Sequence, residues 1–467
     1  MSTPVQIREQ AGAEALRDLV DGQVVLPGDA GWDMARRAWN LAADQRPAAV
    51  VFAECADDVV AVVDHARRNG LRITTQGTGH FANTIDGLED TILLKTSRMR
   101  RVEIDPESRT ARAEAGVLWE EVVLAASEHG LAALAGSSPD VGVVGYTLGG
   151  GLGWLGRRYG LAANSVVAVE LVTADGRLVR ADARNEPDLF WAVRGGGGSF
   201  GVVTALEFRL YEVPEVYAGV LFFPVERAAE ILNAWRAWVD GTPEELTSCG
   251  RVMHFPAIPE VPEPMRGRSF VLVEAAFIGS EEDGAAIMRP LRELGPELDT
   301  LALIPTAELR HMHMDPPQPV PGAGDGMSLA ELTPEAIDAL VAAAGPESGL
   351  LSVELRQLGG AVSRPSPEQG AVGALEGSFA LFGVGMAPTP ELREAAEAGA
   401  AALKAALAPW ATGRGYFNFA DRPQEGASFY PPETHRRLQE IKADVDPGEL
   451  FRATHPIRPA RLAGLAV

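Results

Sequence analysis

Only two cysteines, Cys55 and Cys249, occur in the 467 residues, so no disulfide framework, cysteine metal site or paired-thiol redox motif can be built. Both are expected to be buried apolar side chains. Basic charge is in deficit: 41 Lys and Arg stand against 64 Asp and Glu, a net charge of −23. A surface that negative repels phosphate backbones, so nucleic acid is not an expected partner, although a local cationic pocket is still allowed. No stretch approaches the ~20 apolar residues of a membrane span. The opening MSTPVQIREQAGAEALRDLV lacks the apolar core of a signal peptide. The expectation is a cytoplasmic protein with no membrane partner. Fixed-period repeats and long low-complexity tracts are missing as well.

What is there is an ordinary globular mixture, 46% hydrophobic and 22% charged, long enough for two or three domains. The 50 Gly and 33 Pro exceed what a helical bundle needs and point to many turns and close backbone approaches. From Arg46 to Val213, short β-branched runs alternate with helical stretches. Strands are predicted at 48–54 and 71–77, with a helix over 57–70 that ends on a glycine between them. Another helix is predicted over 117–130. The apolar runs of 165–181 flank Asp175-Gly176, a hairpin signature, and a further strand follows over 201–213. After Pro214 the pattern changes. Amphipathic helices are predicted at 225–241 and 391–410. Three strands of one sheet are predicted at 268–279, 349–360 and 378–386. The Pro-rich stretch 314–323 reads as a loop, and a short helix as starting at Glu433.

Gly151-Leu152-Gly153-Trp154-Leu155-Gly156 matches G-x-G-x-x-G, but a dinucleotide-binding helix should follow, and Gly160 arrives within about one helical turn. The glycines at 149, 150, 151 and 153 are expected instead to leave a bare surface for another backbone or a flat ligand. A second tract runs Arg194-Gly195-Gly196-Gly197-Gly198, and a third, Gln76-Gly77-Thr78-Gly79-His80, follows a strand. Three loops that expose backbone suggest a large anionic ligand held by N–H groups rather than by basic side chains.

Together these segments resemble the FAD-binding fold of the vanillyl alcohol oxidase (PCMH-type FAD-binding) superfamily, and within it the berberine bridge enzyme-like FAD-linked oxidases. The resemblance rests on QGTGHFANT (76–84), SPDVGVVGYTLGGGLGWLGRRYGLAANSV (138–166), DLFWAVRGGGGSFGVVTALEF (188–208) and the tail YFNFAD…IKADVDPGELF. It covers about 47–213 closely and 411–457 less closely. It implies an α+β fold: a two-subdomain PCMH-type FAD-binding domain over 1–213, and a substrate-binding domain with an antiparallel sheet flanked by helices over 214–410. A C-terminal segment, 411–467, would return to the first domain.

The same resemblance implies FAD, with its pyrophosphate at Gln76, Gly77, Thr78 and Gly79 and its 8α-methyl carbon bonded to His80. An alkylated imidazole withdraws electrons from the flavin and makes it a better hydride acceptor. Further cofactor contacts are implied at Ser138, Val141, Gly142 and Gly145, at Gly149, Gly150 and Gly153, and at Gly201, Val202 and Val203. Tyr416 and Asn418 complete the set, and no metal is implied. Many relatives add a second link from the cysteine of a C-P-T-V-G pattern. Here the residues are Ser138-Pro139-Asp140-Val141-Gly142, so a single bond is expected. A small residue at Val141 is associated in the family with oxygen reaching the flavin, which favours an oxidase.

Alcohol oxidation by flavin needs a base. Relatives often use the second tyrosine of a Y-x-N-Y-x-D motif, where this chain has Phe419. Others carry a glutamate on a late strand, at a position near Leu381. The remaining candidates are Glu354, sharing a strand face with Arg356 and expected to have a raised pKa in a partly apolar cavity, and Tyr416. A neutral amine would need no base. His311 and His313, near the Pro-rich loop, read as surface residues. Three functions remain open. The first is an oxidase taking hydride from a small or medium organic donor (alcohol, amine or secondary metabolite) and passing electrons to O2. The second is an oxygenating enzyme of a bacterial polyketide or other natural-product pathway. The third is a flavin-binding protein without turnover.

Overall fold

The computed structural model describes residues 14–460, so the ends of the expected 1–213 and 411–467 segments lie outside the described residues. A four-stranded sheet has the order Gln23–Val25, Ala49–Phe52, Thr91–Lys95, Arg72–Gln76. Its last three strands are parallel. Parallel neighbours need a crossover, and the helix Ala56–Asn69 supplies one. Asp57 and Asp58 in its first turn and Arg67 and Arg68 in its last suit the helix dipole, and Gly70 stops it at a φ of 68°. Val59, Val62, Val63 and Ala66 recur at helical spacing and bury against Val51, Ile73 and Ile92. Burying each such side chain contributes roughly 1.5–3 kcal/mol.

A second, antiparallel sheet has the order Val102–Asp105, Thr110–Glu114, Val202–Arg209, Val166–Val172, Leu178–Asp182. Its last two strands form the hairpin read from Asp175-Gly176, with Gly176 at a φ of 86°. After Gly156 the chain makes only the one-turn helix Gly156–Tyr159, stopped by Gly160 at a φ of 89°. The G-x-G-x-x-G match therefore opens no dinucleotide-binding helix.

The third sheet has eight strands, all antiparallel. Its middle runs Glu215–Pro224, Ser269–Phe277, Leu246–His254, Ser352–Gln357, Phe379–Met386 and Gly322–Leu329. The helices Ala228–Val239, Pro334–Ala343 and Pro390–Leu407 cover one face, against Val271, Val273, Val353, Leu355 and Leu381. Period-2 alternation sends Arg251, Glu274, Glu354 and Arg356 to the other face. The strand Gly322–Leu329 carries no strand signal in the sequence, because GAGDGMSL offers little β propensity and begins inside the Pro-rich stretch. Its glycines answer a packing demand. A Cβ on Gly326 would meet Leu381 O at 2.5 Å and Phe419 O at 2.7 Å, so the segment carrying Phe419 crosses the sheet there.

The C-terminal segment packs back on the first part of the chain. Ile73 N donates to Leu450 O at 2.9 Å, and Arg452 N to Ile73 O at 2.8 Å. Lys442, 1% exposed at the end of the helix Pro432–Val445, donates to Ser199 O at 2.6 Å and to Asp446.

Candidate active site

A cavity of about 1180 Å³ lies between the two smaller sheets' loops, the eight-stranded sheet and the tail. One half is lined by Gln76, Gly77, Thr78, Gly79 and His80, with Gly197, Gly198, Gly201 and Val203. Among the described residues, the backbone N–H groups of Thr78, Gly79 and His80 donate to no other protein group. Gly79 sits at a φ of 92°, and a Cβ there would meet Gln76 Nε2 at 2.7 Å and Ala38 Cβ at 2.8 Å. Free amides on such a bend form an anion-binding nest. Four lining side chains also hold buried polar atoms without a hydrogen-bond partner: Gln45 Oε1, Gln76 Nε2, His80 Nε2 and Tyr146 OH. Unpaired buried polar atoms facing one cavity need a polar ligand to satisfy them. The residues present therefore fit a long anionic cofactor with a polar ring system.

His80 is fixed on three sides. Its ring stacks on Trp39 with centroids 3.9 Å apart and planes at 17°. Its Nδ1 lies 2.8 Å from Thr78 Oγ1, and its Nε2 lies 3.6 Å from Asp140 Oδ1. Trp39 Nε1 donates to the other oxygen of Asp140. Burial pushes the Asp140 carboxyl up, but His80 and the indole outweigh it and hold it below the usual carboxylate range.

The other half of the cavity meets the eight-stranded sheet. Register places Arg251 opposite Glu354, and Cys249 opposite both Glu274 and Arg356. His313 bridges the two carboxylates: Nδ1 is 2.7 Å from Glu274 and Nε2 is 2.7 Å from Glu354. Arg356 contacts Glu354 at 3.1 and 3.2 Å and donates to Ser137 at 2.9 Å. Arg251 donates to His313 O at 2.7 Å and Ser352 Oγ at 2.7 Å. Burial and Arg251 lower the His313 pKa, but Glu274, Asp315 and Glu354 outweigh them and lift it to about 9.

Three expectations are corrected here. Glu354 does not have a raised pKa: burial pushes it up, but Arg356, His313 and Arg251 hold it well below the usual range. His313 is not a surface residue but 3% exposed, while His311 is exposed. Leu381 faces the helical layer; the neighbour that lines the cavity is Phe382, since one residue of register reverses a strand's faces.

Tyr416 lines the cavity, and its hydroxyl oxygen accepts from Leu152 N at 2.8 Å and Asn418 Nδ2 at 3.2 Å. Burial raises its pKa, so it keeps its proton. Phe419 packs on Tyr416 and Phe382 with centroids 5.1 and 5.2 Å away, and the Arg356 guanidinium lies 5.2 Å from its ring. Beyond these, the wall carries the apolar side chains Met253, Phe255, Val261, Met265, Met314 and Leu351, with Glu260, Asp315 and Gln318 also lining it. Asp421 also lines the cavity, its carboxyl raised to about 8 by burial.

Ser138, Val141, Gly142, Gly145 and Asn418 line the cavity. Gly149, Gly150, Gly153 and Val202 stand behind its wall. A Cβ at Gly149 would meet Asn418 Oδ1 at 1.8 Å, one at Gly150 Val372 Cγ1 at 3.4 Å, and one at Gly153 Ala135 O at 1.9 Å. Gly151 makes room for the Tyr146 ring, 2.5 Å from its would-be Cβ. These glycines accommodate protein: another backbone at Gly153, one of the two expected alternatives, and side chains at Gly149, Gly150 and Gly151. Val202 alternates away from Gly201 and Val203 into the core with Val172. Cys249 is buried, but Cys55 is only half-buried beside Asp58. Both Asp58 oxygens already accept from the backbone amides of Asp21, Gly22 and Glu54 at 2.7–3.1 Å. Glu274, Arg251 and Tyr146 were missed. Buried charges on separated strands carry no local motif, and the only available signal was a charged residue inside an apolar run.

Residues 47–182 match the family described as FAD binding domain, and residues 415–458 the family described as berberine and berberine like. The (R)-6-hydroxynicotine oxidase of Paenarthrobacter nicotinovorans is 30% identical over 460 residues, spanning 94% of this chain and 97% of that protein. A crystal structure of 6-hydroxy-D-nicotine oxidase from Arthrobacter nicotinovorans is similar at a TM-score of 0.81 and 27% identity, over 95% of this chain and 98% of the other. The xylooligosaccharide oxidase of Myceliophthora thermophila C1 shares the fold at a TM-score of 0.82 and 23% identity, over 97% and 100% of the two chains.

Proposed function

The chain belongs to the berberine bridge enzyme-like FAD-linked oxidoreductases, and on that premise we propose that it is an oxidase that takes hydride from apolar, ring-bearing amines. The cofactor is FAD, and we assign its covalent attachment to His80 alone. Bound in the glycine-lined half, the flavin supplies a two-electron acceptor that O2 regenerates, yielding hydrogen peroxide.

The observation that carries the substrate class is the closed charge network at the sheet. Glu354 is held by Arg356 and His313, and Phe419 offers no hydroxyl. A carboxylate so strongly stabilised is a poor base. A neutral amine loses hydride from the carbon next to nitrogen without one, because the nitrogen lone pair stabilises the cation left behind. Water then hydrolyses the resulting iminium ion. The wall of Met253, Phe255, Met265 and Met314 suits an apolar ring better than the hydroxyls of a sugar. The name of the nicotine-oxidising relative supports the same substrate class.

A substrate panel tests this. Aromatic cyclic amines should produce peroxide at least tenfold faster than glucose, cello- or xylo-oligosaccharides at equal concentration. Faster peroxide release from the sugars would overturn the assignment. Oxygen incorporated into product without stoichiometric peroxide would point to the oxygenating chemistry instead.

A further inference from the structure

Three groups converge on His80, and two of them belong to segments distant in sequence. Pro139-Asp140-Val141 is anchored by its own backbone: Glu120 N donates to Pro139 O at 2.9 Å and Trp119 N to Val141 O at 3.0 Å. Trp39 is tied to the histidine's loop through its own N, which donates to Thr78 O at 2.9 Å. The indole N–H then points at Asp140, whose free oxygen Oδ1 is buried, lacks a hydrogen-bond partner and stands 3.6 Å from His80 Nε2. Relatives with the C-P-T-V-G pattern have threonine where this chain has Asp140. A carboxylate, rather than a hydroxyl, therefore faces the imidazole in this chain.

A carboxylate 3.6 Å from Nε2 favours the tautomer with the ring proton on that nitrogen and the lone pair on Nδ1. Nδ1 now contacts Thr78 Oγ1, a contact that can be exchanged for a bond. As that bond forms, the ring becomes an imidazolium, which a nearby carboxylate stabilises and can deprotonate. The same arrangement orients catalytic histidines elsewhere: an acid behind the ring fixes the tautomer and the angle of attack.

We propose that Asp140, oriented by Trp39, is the positioning residue that makes His80 the nucleophile for attachment of the flavin. The inference rests on the assignment of covalent attachment to His80. The step balances as follows. One C–N bond forms between the imidazole and the 8α carbon. One C–H and one N–H bond break, releasing two protons, the second through Asp140. The two electrons left over pass to O2, which becomes hydrogen peroxide with those protons.

The test uses purified holoenzyme and reads flavin, not turnover. Total bound flavin is measured by absorbance, and the covalent share by flavin retained after acid precipitation, checked by intact mass. Wild type should retain its flavin and His80→Ala should retain none. Asp140→Asn and Asp140→Thr should bind total flavin within twofold of wild type, but with the covalent share reduced at least fivefold. Asp140→Glu should restore most of it. Trp39→Phe, which keeps the stack and removes the N–H, should fall between. Wild-type covalent shares in both Asp140→Asn and Asp140→Thr would overturn the role of Asp140 while leaving attachment to His80 standing. Acid-releasable flavin in the wild type would overturn attachment itself, and the proposal with it.

Discussion

Glu354 shows how one side chain's role depends on what surrounds it. Burial alone would make this carboxyl a proton acceptor poised near neutrality. With Arg356 at 3.1 Å and His313 at 2.7 Å it becomes a fixed anion that holds Arg356 beside the Phe419 ring. Val141 is another residue whose size matters more than its polarity. It is half-buried on the cavity wall next to Gly142. If Val141 gates oxygen, as the family resemblance implies, replacing it with Leu or Ile should narrow the path to the flavin edge. Reoxidation of dithionite-reduced enzyme in air, followed by absorbance, should slow at least fivefold. Anaerobic reduction by substrate should stay within twofold, because hydride transfer does not use the oxygen path. Equal reoxidation rates in wild type and both variants would remove Val141 from that path.

At the level of elements, the strand Ser352–Gln357 was legible because alternation alone puts Glu354 and Arg356 on one face, as the structure has them. Their partners were not legible. Arg251 and Glu274 come from strands paired only through long-range register, and His313 comes from the segment after the turn Thr306–His311. The FAD-side loops could be read because their glycines mark backbone conformations that other residues adopt only with strain.

The network that joins these elements has a pH consequence. Glu274, Glu354 and Asp315 face His313, as do Arg251 and, through Glu354, Arg356. The folded His313 pKa of about 9 lies above its ordinary value of 6.5, so folding binds this proton more tightly. The stabilisation is complete below the ordinary value and is lost as pH rises through about 9. Holoenzyme Tm should therefore fall between neutrality and pH ~9.5. Asp421, raised to about 8, contributes in the same direction below that pH. His313→Gln should lower Tm at neutral pH and flatten the fall above pH ~8. A His313→Gln profile parallel to wild type would mean that the imidazole is not the group titrating.

Seen whole, the molecule sets a polar, glycine-lined half-cavity from the first part of the chain against an apolar, charge-locked wall from the eight-stranded sheet. The tail closes the space between them with Tyr416, Asn418 and Phe419. The tail also reaches Ile73 at Leu450, so the loop that begins at Gln76 is braced by residues at the far end of the sequence. Among the described residues, no helix is long and apolar enough to cross a membrane. On the proposed amine oxidation, hydride leaves the donor without a protein base. The most direct test is the limiting rate of anaerobic flavin reduction by an aromatic cyclic amine, measured by stopped flow across pH in wild type and Glu354→Gln. The limiting rate should be independent of pH in both, within about tenfold of each other, while the apparent affinity follows the amine's own pKa. A limiting rate that rises with an enzyme pKa and falls roughly 10²-fold in Glu354→Gln, as for loss of a positioned base, would contradict it.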